Sequence, residues 1–471
     1  MVVEAVVESG SPAALGAGAG AGAGDGSMAV HGHRLSTVVP SSVTGESVDY
    51  ELADADLLHK LHYVRAVHVF RAPAAPGERA LSVRELKEPM FPWLDMYFPV
   101  SGRLRRRQQQ QQQDAAEAAA GRPYVRCNDC GVRVVEAACD ATVEQWMEAE
   151  DERGGLCRPL AYDKVIGPEL FFSPLLYVQI TSFKCGGMAL GFTWAHVIGG
   201  IPSAAACFAT WAQLASGNKA PPPALRDPLS TPPPPPAAPP ASETAPPPSA
   251  VKATSAPVGD HWAVPAARNM VPFSFHVTEQ QLKALQQRGA RPGGAPSVGP
   301  FELVSALVWR GLAAIRASED GEEATRTVTV VRTTQPAVGG GSNRRPGLAN
   351  KHRIGQAVAS GAAPAAADVA ALAALLAGAR VDDAGAVAAQ AAGDVVVYGA
   401  CLTFVDAGGV VEAHPLELAG RRPAHVEYAV DGVGDGGAAV VHAEARGRGR
   451  TVAGALRRGE PGRLRDALRA A

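Results

Sequence analysis

Two apolar runs separated by a short polar break dominate the middle of the chain. Leu175 to Thr181 is β-branched, aromatic and apolar, Lys184-Cys185-Gly186-Gly187 interrupts it, and Met188 to Trp194 is apolar again, a pattern that predicts a hairpin. Pro202 suits the first turn of a helix, where its missing N–H would have no partner anyway, so Ser203 to Leu214 is expected to be helical. His196 then falls on the elbow between strand and helix, next to glycines that let other groups approach the backbone closely. An imidazole so placed can act as a general base near neutral pH.

The same reading extends along the chain. Asp54 to Leu61 has helical character, His62 to Phe70 reads as a strand, and Ser82 to Met96 as a helix ending near the turn Phe98-Pro99-Val100-Ser101-Gly102-Arg103. Tyr124 to Glu136 alternates as a strand does, around the turn Cys127-Asn128-Asp129-Cys130-Gly131, and Thr142 with Glu144 to Trp146 starts the next helix. In the second half, Val271 to Val277 and Thr327 to Arg332 read as strands. Thr278 caps a helix over Glu279 to Gln287, and Pro300 to Ala317 and Ala365 to Ala379 are helical. Val395 to Tyr398, Leu402 to Val405, Val426 to Val430 and Ala438 to His442 are short strands. Strands and helices alternate in each half, which implies two similar α/β layers facing one another. Gly432 to Gly437 fits the spacing Gly-x-Gly-x-x-Gly, but it lies between two strands, so a hairpin turn is expected there rather than a phosphate cradle.

Composition adds limits. With 471 residues, 46% apolar content and a formal net charge of -2, the chain is expected to be soluble, to hold two cores and to have no nucleic-acid partner. Its start, Met1-Val2-Val3-Glu4, does not read as a signal peptide, and the apolar span Val358 to Ala379 is broken by Pro364 and Asp368, so no transmembrane segment is expected. Seven cysteines, an odd number, fit reduced thiols in a cytosolic setting. Cys127 and Cys130 form a lone C-x-x-C without a second ligand pair, and Cys139 and Cys157 lack paired spacing, so no metal is expected.

Low complexity from Leu15 to Gly24 predicts a disordered N-terminus over 1–35, with order beginning near Ser36. Gln108 to Gln113 is a loop insertion, and Arg103, Arg105, Arg106 and Arg107 before it read as a solvated face. Prolines dominate Lys219 to Pro257, a stiff solvated linker between domains over 36–218 and 258–445. Arg446 to Arg469, rich in arginine, reads as a frayed basic tail over 446–471.

Several of these motifs together resemble the plant acyl-CoA-dependent acyltransferases of the BAHD family. The resemblance rests on Phe98 to Arg103, the Cys127-Asn128-Asp129 turn, Ser173 to Gly187, and the spacing from there to His196, and it covers about Ser36 to His442. It implies two similar domains of mixed sheet flanked by helices, like chloramphenicol acetyltransferase, joined by a long crossover linker. It also implies His196 as the general base that takes the acceptor's proton, acyl-CoA as substrate or ligand, no bound cofactor and a monomer. The family signature is His-x-x-x-Asp, and here it reads His196-Val197-Ile198-Gly199-Gly200, so the acidic position is lost at Gly200. A second signature, Asp-Phe-Gly-Trp-Gly, is replaced by Glu417-Leu418-Ala419-Gly420-Arg421-Arg422-Pro423.

Within the family, Lys60-Leu61-His62-Tyr63, Met90-Phe91 and Phe183 to Gly187 are similar to the Eceriferum and Glossy branch of cuticular wax synthesis. That likeness implies a protein that promotes very-long-chain fatty acid elongation with the elongase condensing enzyme, at the cytosolic face of the endoplasmic reticulum. The alternative it leaves is an active O- or N-acyltransferase using His196.

Overall fold

Strands Leu176–Phe183 and Met188–Ala195 form the expected hairpin, with Leu176 opposite Trp194 and Ser182 opposite Met188. Every residue of Met188–Ala195 is buried. Covered on both faces, it reads as a continuous apolar run rather than as an alternation. In the computed structural model, residues 28–74, 79–107, 121–163, 166–167, 169–225, 250–265, 268–289, 298–321, 323–333 and 347–469 are described. The Leu15 to Gly24 repeat, the glutamine run and the centre of the proline-rich segment lie outside them.

The hairpin sits inside a six-stranded sheet of order Val30–Val38, Val132–Cys139, Leu176–Phe183, Met188–Ala195, Tyr63–Phe70, His425–Asp431. Order begins before Ser36, because Val30–Val38 pairs antiparallel along Val132–Cys139 as an edge strand whose polar residues face solvent. Tyr124 to Glu136 is two strands instead of one. Pro123–Arg126 joins a small sheet with Asp49–Glu51 and Arg103–Arg106, while Val132–Cys139 enters the large one. The chain turns between them at Asp129 (φ 52°) and Gly131 (φ 77°), where a Cβ on Gly131 would lie 2.3 Å from the Val38 carbonyl oxygen. Arg103 departs from the solvated face expected of it. It is buried and donates to the Gly102 and Gly131 carbonyls at 2.7 and 2.9 Å, bracing that turn.

The second sheet has seven strands in the order Met270–Val277, Arg450–Arg457, Ala438–Ala443, Leu402–Ala407, Thr327–Thr333, His352–Val358, Arg380–Val381. Its alternation sorts side chains to two sides. Val331, Val405 and Val440 pack into the core shared with the first half, whereas Val330, Phe404 and Val441 pack with Val304, Trp309 and Leu312 of helix Pro300–Asp320. Trp309 is fully buried, and its indole N–H donates to the Thr325 carbonyl at 2.7 Å.

Two expectations about the C-terminal region change. Gly432 to Gly437 does not close a hairpin: His425–Asp431 belongs to the first sheet and Ala438–Ala443 to the second, so the turn carries the chain across. Gly432 (φ 69°) allows this, since a Cβ there would meet the Leu61 carbonyl oxygen at 2.3 Å. The arginine-rich segment from Arg446 is likewise no frayed tail. Arg450–Arg457 lies between Met270–Val277 and Ala438–Ala443, and helix Glu460–Arg469 follows. Between its end arginines the strand is buried throughout, and Gly454 allows the Ala438 carbonyl to approach within 2.0 Å of where a Cβ would stand. Glu460 pairs with buried Arg316 at 2.7 Å.

Helix Val143–Arg153 starts with a reciprocal cap: the Gln145 N–H donates to Thr142 Oγ1 at 3.1 Å, and the Thr142 N–H donates to Gln145 Oε1 at 2.9 Å. Thr142→Ala is expected to lower stability by ~1 kcal/mol, read as a shifted urea midpoint at unchanged slope.

Candidate functional site

His196 is the first residue after strand Met188–Ala195, in a single turn His196–Ile198 that leads through Gly199 and Gly200 into helix Ile201–Ala215. Backbone bonds fix the elbow locally. The His196 N–H donates to the His62 carbonyl at 3.1 Å, and Trp194 Nε1 donates to the Gly199 carbonyl at 2.8 Å. The loop 347–350 of the second half then locks it. Gly200 N–H donates to the Ala349 carbonyl at 3.3 Å, Ser203 Oγ lies 2.8 Å from the Gly347 carbonyl, and Asn350 Nδ2 donates to the His196 carbonyl at 2.8 Å. Asp56 Oδ1 accepts from the Asn350 backbone N–H at 2.9 Å, so this carboxylate braces the loop that braces the elbow.

The space beside Gly200 is filled. A Cβ at that position would lie 2.4 Å from His352 Cε1 and 2.6 Å from His352 Nε2, so an imidazole from the second half occupies the room an acidic side chain would need. It belongs to a group of four histidines and a tyrosine: His59, His62, His196, His352 and Tyr398. His59 stacks on His196 with ring centroids 4.5 Å apart at 13°, and His352 meets His59 edge-on at 4.9 Å. Tyr398 Oη lies 2.9 Å from His196 Nε2. His62 is fixed on both sides. Its Nε2 accepts from the Val397 N–H at 3.0 Å, which puts the proton on Nδ1, and Nδ1 donates to the Gly432 carbonyl at 2.8 Å. Nδ1 of His59, His196 and His352 has no hydrogen-bond partner among the described residues.

Burial decides the charge of this cluster. Desolvation lowers His196 to about 4 and His62 and His352 to about 3, and it drives His59 well below its ordinary value; at His59, His62 and His352 repulsion from neighbouring rings adds to the effect. Burial raises the Tyr398 phenol, so it keeps its proton. At neutral pH the rings are therefore uncharged, and His196 is a much weaker base than one poised near 7. His196 is fully enclosed, with 0% of its surface exposed.

The sequence-predicted residues His196 and Gly200 thus share one elbow, while Glu417 to Pro423 lies elsewhere. Its Ala419 N–H donates to Ser216 Oγ at 3.0 Å, at the far end of helix Ile201–Ala215, some 22 Å along the axis. Sequence reasoning did not single out His59, Asn350, His352 or Tyr398. His59 adjoins the quoted Lys60-Leu61-His62-Tyr63, but Asn350, His352 and Tyr398 reach the elbow from positions 154 or more residues away and carry no local signal.

A model of the Transferase family matches residues 28–368. The chain belongs to this family, the BAHD acyl-CoA-dependent acyltransferases. Protein ECERIFERUM 26-like of Arabidopsis thaliana is 34% identical over 421 residues, 88% of this chain and 89% of the relative. Protein ECERIFERUM 2 of the same plant is 34% identical over 417 residues, 87% of this chain and 90% of that one. These likenesses place the chain with the Eceriferum branch.

Solved members share the two-sheet BAHD fold. Vinorine synthase aligns at a TM-score of 0.61 and 18% identity over 94% of this chain and 98% of its own. F. graminearum TRI101 complexed with Coenzyme A and Deoxynivalenol aligns at 0.64 and 14% over 90% and 97%. The expected α/β architecture of a BAHD protein is therefore present. Among the described residues, no helix is long and apolar enough to cross a membrane, and the expected helix within Val358 to Ala379 is Val369–Ala377.

Proposed function

We propose that this BAHD protein promotes very-long-chain fatty acid elongation for cuticular wax. In this reading it works with the elongase condensing enzyme at the cytosolic face of the endoplasmic reticulum and offers a surface or an acyl-CoA-binding channel rather than a reacting base. The observation that carries the reading is the elbow itself: the room for the signature carboxylate is filled by His352, and His196 is enclosed, uncharged and weakly basic. Likeness to relatives named Eceriferum over nearly the whole chain supports it.

The test is lipid profiling of a wax-free host expressing a condensing enzyme with either the wild-type chain or His196→Ala. A positioned base supplies ~10²- to 10⁴-fold, so a catalytic role predicts that the extended acyl products vanish in the variant. We expect them to stay within about twofold of wild type, well short of that loss. A fall to the level of the host without this protein rejects the reading.

A second reading, an acyl-CoA-dependent O- or N-acyltransferase, is favoured by Nδ1 of His196, a ring atom with no hydrogen-bond partner among the described residues and able to take an acceptor's proton. It predicts turnover of an acyl-CoA with a hydroxyl acceptor by the purified chain, abolished in His196→Ala.

A further inference from the structure

Away from the elbow, a second buried group of polar side chains joins the two halves. Helix Val143–Arg153 ends in a tight turn at Gly154 (φ 64°) and Gly155 (φ 74°), pressed so closely on strand Met270–Val277 that a Cβ on Gly154 would meet the Ser274 carbonyl oxygen at 2.2 Å. That turn delivers Cys157 to strand His425–Asp431, where His425 and Glu427, two residues apart, project from the same face. Cys157 Sγ lies 3.4 Å from His425 Nε2, and one ligand atom from each of the three residues lies within 4.8 Å of the other two. All three side chains are buried.

The hydrogen-bond inventory separates this cluster from an ordinary polar core. Neighbouring Glu150 is satisfied: it accepts from the Gly155 and Leu156 N–H groups at 3.0 and 2.6 Å and from the Ser274 hydroxyl. The Glu427 carboxyl, only 6% of whose residue is exposed, interacts with the Cys157 thiol and the Ser274 hydroxyl, but its Oε2 has no hydrogen-bond partner among the described residues. A buried carboxyl oxygen left unpaired is costly, and a cation beside it would remove that cost. The donors are a thiol, an imidazole and a carboxyl, which together match zinc(II), and an S···N edge of 3.4 Å is close to the ~3.5 Å of a tetrahedron with Zn–S ~2.3 Å and Zn–N ~2.0 Å. A cavity of about 490 Å³, lined by Glu150, Ser274, His276 and His425, reaches the cluster on its His425 side.

We propose that Cys157 Sγ, His425 Nε2 and the Glu427 carboxylate form a three-ligand zinc(II) site whose fourth position is taken by water. Binding sends the thiol and carboxyl protons to solvent, so a dication meets one thiolate and one carboxylate and the buried charge is unchanged. The site ties the turn after helix Val143–Arg153 to a strand 268 residues further on. Sequence spacing gave no sign of it, because its ligands come from distant parts of the chain.

The experiment uses the full chain, stripped with a chelator and titrated with cobalt(II) and zinc(II). We expect one tightly held ion per chain and a near-ultraviolet thiolate-to-cobalt charge-transfer band. Cys157→Ser removes the band and weakens zinc at least ~100-fold, while Cys130→Ser at the exposed cysteine leaves both unchanged. Glu427→Gln keeps the shape of the side chain and the band but loses affinity, so it decides the matter if Cys157→Ser fails to fold. A wild-type chain that takes up neither metal, or uptake unchanged in Glu427→Gln, overturns the proposal.

Discussion

Acidification from about pH 7.5 to about pH 5 is expected to cost the metal-free folded chain a large part of the ~5–15 kcal/mol that holds a typical domain together. The cause is seven enclosed histidines. Desolvation lowers His62, His68, His352 and His425 to about 3 and His196 and His442 to about 4, and it puts His59 well below its usual value. Unfolded, each titrates near 6.5. Above that value neither state is protonated and the full stability is present. As the pH falls toward the folded-state values, the unfolded chain takes up protons that the folded chain refuses, and stability is lost. By pH ~5 each of the six rings lowered to about 3 or about 4 contributes ~2 kcal/mol of loss, ~12 kcal/mol together, and His59 adds to it in the same direction.

Buried acids oppose this. Glu150, Glu427 and Asp406 are raised by desolvation, so acidification favours their folded, protonated forms and offsets part of the loss. The net loss should appear as a much lower urea midpoint at the lower pH, measured with a chelator present. His352→Asn removes one refused proton and should shrink the loss by ~2 kcal/mol. A midpoint that does not move between the two pH values would mean that these rings carry protons inside the folded chain.

What could be read in advance followed how local each feature is. The hairpin Leu176–Phe183 and Met188–Ala195 and helix Pro300–Asp320 announce themselves through continuous apolar runs and a proline at the helix start, signals contained in a few neighbouring residues. Strand Arg450–Arg457 was hidden because arginines at its ends and around it outweigh the small residues Ala453, Gly454 and Ala455 that its central place requires. The Gly432 to Gly437 turn looked like a hairpin because sequence shows two adjacent strands but not that they enter different sheets. At the elbow, His196 and the loss at Gly200 are visible in the sequence. What replaced the lost acid is not, since His352 arrives on a strand 152 positions later than Gly200, and its effect comes from shape rather than from any motif.

That replacement makes Gly200→Asp an informative substitution. Elsewhere in the family an aspartate belongs at this position; here its Cβ would stand 2.4 Å from His352 Cε1, inside van der Waals contact. His352 has little room to retreat, since its other neighbours are the rings of His59 at 4.9 Å and His196 at 5.5 Å. Overpacking costs ~1–3 kcal/mol, and an enclosed carboxylate among uncharged rings adds several more until one ring takes up a proton, so a total of ~4 kcal/mol is expected. The partner substitution separates the two contributions. With His352→Ala the space opens, and Gly200→Asp should then cost at least ~1–2 kcal/mol less than it does in the wild-type chain, a favourable coupling in a double-mutant cycle read by urea unfolding. Additive costs would show that the aspartate and the imidazole do not compete for one space. A neutral Gly200→Asp in the wild-type chain would show that the ring yields freely and that the elbow is not closed to the signature acid.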